Sequence, residues 1–204
     1  MSDLNIYKNY SQSVFLILIS VFLFFFLSYD FTKFILNFKD YTQIAFVDHD
    51  QAYLIEQLLI KINFPNIDMV TSDILEYGVE FYYLQYLIKF INFFHKLEVL
   101  DVFYITSLFH YFCGFLAIMF SIKILQKFKV EQFIIVLFLL CIVSSGYFIR
   151  SLSLLKPDAN IFILCLVLYV YFIILFLDKN KIQYFFISIF FLTLSIAIKY
   201  FGIF

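Results

Sequence analysis

The sequence predicts an all-α membrane protein, with about five transmembrane helices and two further helices lying in the interface within a long first loop. Three observations predict it. Of the 204 residues 64% are hydrophobic and 14% charged, against roughly 45–50% apolar and about 25% charged in ordinary soluble domains. Five uncharged apolar runs reach the roughly 17–25 residues that a hydrocarbon core about 30 Å thick requires of a helix. Those runs are built from Phe, Leu and Ile, in a chain with 32 Phe and 2 Pro, and such segments satisfy their backbone in lipid only as helices.

The first run, 13–29, is longer and more uniformly aromatic than a signal-peptide core. No small-residue cleavage site follows it before Asp30, so it reads as an uncleaved anchor. A long segment, 30–101, comes next. Within it Ile55, Leu58, Leu59 and Ile62 recur at i, i+3, i+4 and i+7 with Glu56, Gln57 and Lys61 between them. That is the pattern of a helix lying in the interface. Asn63-Phe64-Pro65-Asn66 ends it, because Pro lacks a donor and pushes its predecessor out of the helical region. A second interfacial helix is expected from Glu80 to Lys96, with Gln85, Lys89, Asn92 and Lys96 as a polar stripe on an aromatic body. The remaining spans are expected at 102–122, 133–149, 160–177 and 182–204. The last run is still open at Phe204, so the whole of 1–204 reads as the N-terminal part of one transmembrane domain, a fragment of a longer protein.

Lysines set the orientation. Lys8 precedes the first span, Lys123, Lys127 and Lys129 separate the second and third, and Lys179 and Lys181 separate the fourth and fifth. That side is expected to be cytoplasmic. The segment 30–101 on the other side carries eleven acids against five lysines, a net charge of −6.

Several function classes are disfavoured at once. A net charge of −1, no Lys/Arg block and no glycine-rich phosphate loop argue against a nucleic-acid partner. Cys113, Cys141 and Cys165 each fall singly inside an apolar run, without metal or disulfide spacing, and read as small apolar packers. His49, His95 and His110 read as structural rather than as ligands.

The chemistry-bearing residues gather on the acidic side. Asp48-His49-Asp50 opens the first interfacial helix, and carboxylates beside a membrane are costly to hold and useful for chemistry. The loop between the third and fourth spans brings Arg150, Lys156 and Asp158 to the same face. Lys199 follows Ile182 by 17 residues, about 26 Å of helix, which carries it to the outer boundary. Each has a plainer reading: Asp48 and Asp50 as a solvated turn with Asp50 favoured by the helix dipole, Lys156-Pro157-Asp158 as a helix start, Lys199 as a snorkelling lysine, Arg150 as an interfacial anchor. Their convergence on one face favours function.

An N-terminal span, an acidic loop start (Val47-Asp48-His49-Asp50-Gln51-Ala52-Tyr53-Leu54), then an acid-bearing turn and Tyr-rich helix (Glu76-Tyr77-Gly78-Val79-Glu80-Phe81-Tyr82-Tyr83-Leu84) form a recognisable order. It resembles the GT-C glycosyltransferases that use polyprenyl-phosphate sugars, in the branch of protein O-mannosyltransferases, lipid A aminoarabinose transferases and rhizobial core transferases. Leu155-Lys156-Pro157-Asp158 and Ile198-Lys199-Tyr200-Phe201-Gly202 are similar to later segments of that branch. The likeness covers nearly the whole chain in pattern, through short, degenerate motifs.

The resemblance implies a GT-C-like fold and a first-loop acid acting as catalytic base or acceptor-orienting residue, here Asp50 or Asp48. It departs at Gln51, where the family commonly has Glu, and at Gly78-Val79, where the family has a proline-rich turn. The choice between the two aspartates and any metal role stay open, a divalent cation being one option. The expected partners are a polyprenyl-phosphate-sugar donor, a lipid, glycan or protein acceptor, and membrane lipids. Lys156, Arg150 and Lys199 are suited to stabilising the donor phosphate, with Asp158 and Glu76 as supporting acids at the substrate. The expected setting is the extracytoplasmic face of a bacterial inner membrane. The alternative is a non-enzymatic multi-spanning protein, a transporter or flippase component.

Overall fold

The computed structural model describes residues 78–94, 96–143, 145 and 160–200, together with Leu18, Val21, Phe22 and Leu59. Among them every regular element is helical: α1 (Gly78–Phe94), α2 (Val99–Lys127), α3 (Gln132–Val143), α4 (Asn160–Lys179) and α5 (Ile182–Tyr200). Leu18, Val21 and Phe22, in the expected first span, and Leu59, in the expected first interfacial helix, are also helical. Two helices, α2 and α4, are long and apolar enough to cross a membrane by length and composition.

Helix α1 spans nearly the range expected of the second interfacial helix, beginning two residues earlier and ending at Phe94. Ile88 is fully buried, while Tyr86, Phe90, Phe93 and Phe94 are exposed. Asn92, expected on a solvated stripe, accepts a hydrogen bond at Oδ1 from the Leu97 N–H at 2.9 Å. It closes the turn into α2.

Helix α2 starts at Val99 rather than Val102 because acids cap it. The Glu98 N–H donates to Asp101 Oδ2 at 2.9 Å, which satisfies a backbone donor and sets a carboxylate against the positive end of the helix. At its other end the Val130 N–H reaches Leu125 O and the Lys129 N–H reaches Gln126 O, with Lys129 at φ 55°. This is the paired bonding that closes helices on a left-handed residue. Val130 also packs with Leu125 beside the α2–α3 core.

That core consists of Ile118, Ile122, Ile135 and Leu139. Helix α3 has 12 residues, about 18 Å; of the expected run 133–149, residues 144 and 146–149 lie outside the described residues. Ser145 lies outside the helix, its N–H turned back to Ile142 O.

Helices α4 and α5 form a tight antiparallel hairpin across Asn180 and Lys181. Asn180, at φ 49°, donates its N–H to Phe176 O at 2.8 Å, and Asn tolerates this region better than most residues. Aromatic rings hold the hairpin in register. Phe172 stacks on Phe191 at 5.8 Å and on Tyr184 at 6.3 Å, and Phe176 meets Phe185 at 5.4 Å.

Helix α4 also packs along α2, and here the two run parallel. Asn160 bonds to His110 at one end, Phe120 meets Tyr171 in the middle, and Lys127 pairs with Asp178 at the other. The buried small residues Cys113, Gly114 and Ala117 let the backbones approach. A second core, Cys113, Ala117, Ile161, Leu164, Cys165 and Ile198, joins α2, α4 and α5.

Candidate functional site

The expected site residues Asp48, Asp50, Glu76, Arg150, Lys156 and Asp158 lie outside the described residues, as do His49 and His95. Lys199 is inside α5 as backbone, one residue after Ile198. Ile198 is buried against Ile161 in the same core, so the last turn of α5 stands beside the first turn of α4.

At this end of the bundle the apolar interior gives way to a polar band. Thr106, Ser107 and His110 occupy successive turns of α2, and Asn160 opens α4; all four are buried. Asn160 Nδ2 donates to the backbone O of His110 at 3.0 Å. Thr106 Oγ1 lies 2.9 Å from Val102 O and 3.0 Å from Phe103 O, a shared donation within its own helix. Ser107 Oγ is buried with no hydrogen-bond partner among the described residues. The His110 ring meets the ring of Phe109 edge-on at 5.9 Å. On α5, Ser195 and Ser188 are buried too, and each hydroxyl donates to the carbonyl three residues back.

The band lies near one bilayer core from the lysine-bearing end. His110 precedes Lys127 by 17 residues and Asn160 precedes Lys179 by 19, about 26 Å and 29 Å of helix respectively. Asn160 is also the first residue after the segment holding Arg150, Lys156 and Asp158. Its bond to α2 fixes the start of α4 against that helix. The Asn160 amide therefore works as a clamp that sets the register of α2 against α4, and a buried amide left without its acceptor would cost about 1–3 kcal/mol.

Sequence reasoning took Asn160 only as the first residue of a span and His110 as structural. The available signal was the recurrence of polar residues at 106, 107 and 110 inside an apolar run, which in a membrane helix marks an inward face. Among the described residues no group of three His, Cys, Asp or Glu side chains is arranged to hold a metal ion. Cys113 and Cys165 are buried in the α2–α4–α5 core, as expected of apolar packers, while Cys141 is exposed. Compared with protein-family models, with curated proteins and with solved structures, the chain matches none.

Proposed function

We propose that this chain acts as a multi-spanning GT-C-like glycosyltransferase, moving a sugar from a polyprenyl-phosphate donor to a lipid, glycan or protein acceptor at the extracytoplasmic membrane face. The observation that carries the reading is the shared end of α4 and α5. Ile161 and Ile198 occupy one core, so the helix entered from Lys156-Pro157-Asp158 and the helix bearing Lys199 meet at one level. Two of the three sequence segments singled out for charge thus attach to neighbouring helix ends.

Membrane placement is supported by the surface as well as by helix length. Leu108, Phe112, Phe133, Leu177, Phe186, Phe190 and Ile196 are exposed on α2, α3, α4 and α5, a surface suited to acyl chains and unsuited to water. A five-span arrangement in a bacterial inner membrane, lysine-bearing loops inside, accommodates these helices in order.

In the proposed reaction the acceptor hydroxyl oxygen attacks the anomeric carbon while the bond from that carbon to the phosphate oxygen breaks. The electron pair leaves with the polyprenyl phosphate, and the hydroxyl proton passes to Asp50 or Asp48. Lys156, Arg150 and Lys199 offset the charge growing on the phosphate. Asp158 and Glu76 orient these cations and the substrate. One displacement of this kind inverts the anomeric centre.

The test is sugar transfer from a labelled polyprenyl-phosphate donor in membranes containing the protein. Asp50→Asn or Asp48→Asn should abolish transfer, by about a hundredfold or more for loss of a general base, with the protein still inserted at normal level. Retained turnover in both variants would contradict the assignment. A transporter or flippase component is the second reading, and the buried polar band at Thr106, Ser107, His110 and Asn160 is what favours it, because translocation paths are lined this way. Movement of donor lipid across vesicles without any sugar transfer is the result that reading expects.

A further inference from the structure

The opposite end of the bundle holds a second concentration of charge that sugar transfer does not use. It is built from the C-terminus of α2 and the α4–α5 hairpin, which an ion pair between Lys127 and Asp178 ties together. With Asp178 engaged, Lys123, Lys129, Lys179 and Lys181 remain, all exposed, against Glu131, a local net charge of +3.

Two of these lysines are held over aromatic rings. Lys123 Nζ sits 5.1 Å from the centroid of Phe120, and Lys179 Nζ sits 5.6 Å from that of Tyr184. Between those two rings the contacts are continuous: Phe120 to Tyr171 at 5.1 Å, Tyr171 to Phe172 at 5.5 Å, and Phe172 to Tyr184 at 6.3 Å. A band of four rings therefore crosses α2, α4 and α5 with an ammonium over each end. Beside it Phe128, Leu177 and Ile182 are 66%, 74% and 61% exposed.

Exposed large apolar side chains interleaved with unneutralised lysines suit neither bulk water nor plain hydrocarbon. They suit the layer where acyl chains give way to phosphate groups. A zwitterionic headgroup would meet the apolar half of that requirement, and the net positive charge selects an anionic one. We infer that this end binds anionic phospholipids, their headgroup phosphates met by Lys123 at one end of the aromatic band and by Lys179 at the other, with Lys129 and Lys181 around them, while the acyl chains lie along the band. The site rests on the membrane placement and is independent of the sugar-transfer reading.

Native mass spectrometry of the full chain in neutral detergent, with phosphatidylglycerol or phosphatidylcholine added, tests this directly. The wild-type protein should retain phosphatidylglycerol in preference, and the lipid should raise its melting temperature. Lys123→Gln combined with Lys179→Gln should weaken retention about twenty-fivefold, roughly fivefold per lysine. Lys89→Gln with Lys96→Gln removes the same charge from exposed positions on α1 and the turn into α2, away from this end, and should leave retention as it was. Equal retention of both lipids, undiminished retention in the Lys123/Lys179 double variant, or the same stabilisation by inorganic phosphate alone would overturn the inference.

Discussion

Asn160 is the residue on which the α2–α4 contact turns. Its side chain is fully buried and donates to a backbone carbonyl 50 positions earlier. Asn160→Leu should lower stability by about 1–2 kcal/mol, the scale of a buried interhelical hydrogen bond and the acceptor it leaves behind, read as a fall in thermal midpoint in detergent. An unchanged midpoint would mean the bond is idle. Nothing local to Asn160 discloses this partner, because Asn before an apolar run reads equally well as an ordinary helix start. The same limit applies to Asn92, which reads as part of the polar stripe of an interfacial helix although it closes a turn. Cys113 and Cys165 were legible, since a lone thiol in an apolar run has few options other than packing.

At the scale of elements, composition and run length disclosed helices in the right places, and caps moved their ends. Glu98 and Asp101 counted first as acids of an outer loop, yet they begin α2 three residues early. Lys129 and Asn180 end α2 and α4 in left-handed backbone, where neither position carries the glycine that would announce it. Helix α3 covers most of the described part of its expected run, with Ser145 outside it. It is held by a small core, so Leu139→Ala should cost about 2–4 kcal/mol and loosen α3 selectively. Hydrogen exchange that rises in 132–143 while α4 and α5 stay protected is the expected pattern. Exchange rising uniformly across the bundle would instead make α3 part of one cooperative unit with them.

For the molecule as a whole, the parallel run of α2 and α4 is the organising fact. What the sequence could not disclose is which helices touch: α4 lies between α2 and α5 through Gly114, Ala117 and a file of aromatic rings, and shape complementarity of that kind has no one-dimensional signature. The candidate site is expected from charge gathered on one face of the sequence-read topology. Of its members, the α5 backbone at Lys199 is within the described residues, at the same end as Asn160.

The central claim is that the first-loop acids and the cation on α5 serve one site. Cross-linking in native membranes tests it most directly, using Asp50→Cys with Lys199→Cys, the three native cysteines replaced by Ala or Ser, and a short bifunctional thiol reagent. Phe120→Cys with Tyr171→Cys, whose wild-type rings are 5.1 Å apart, serves as the positive control. An intramolecular 50–199 cross-link formed as readily as the control is the expected result. A control that cross-links while the 50–199 pair does not would place the acids and the cation apart and contradict it.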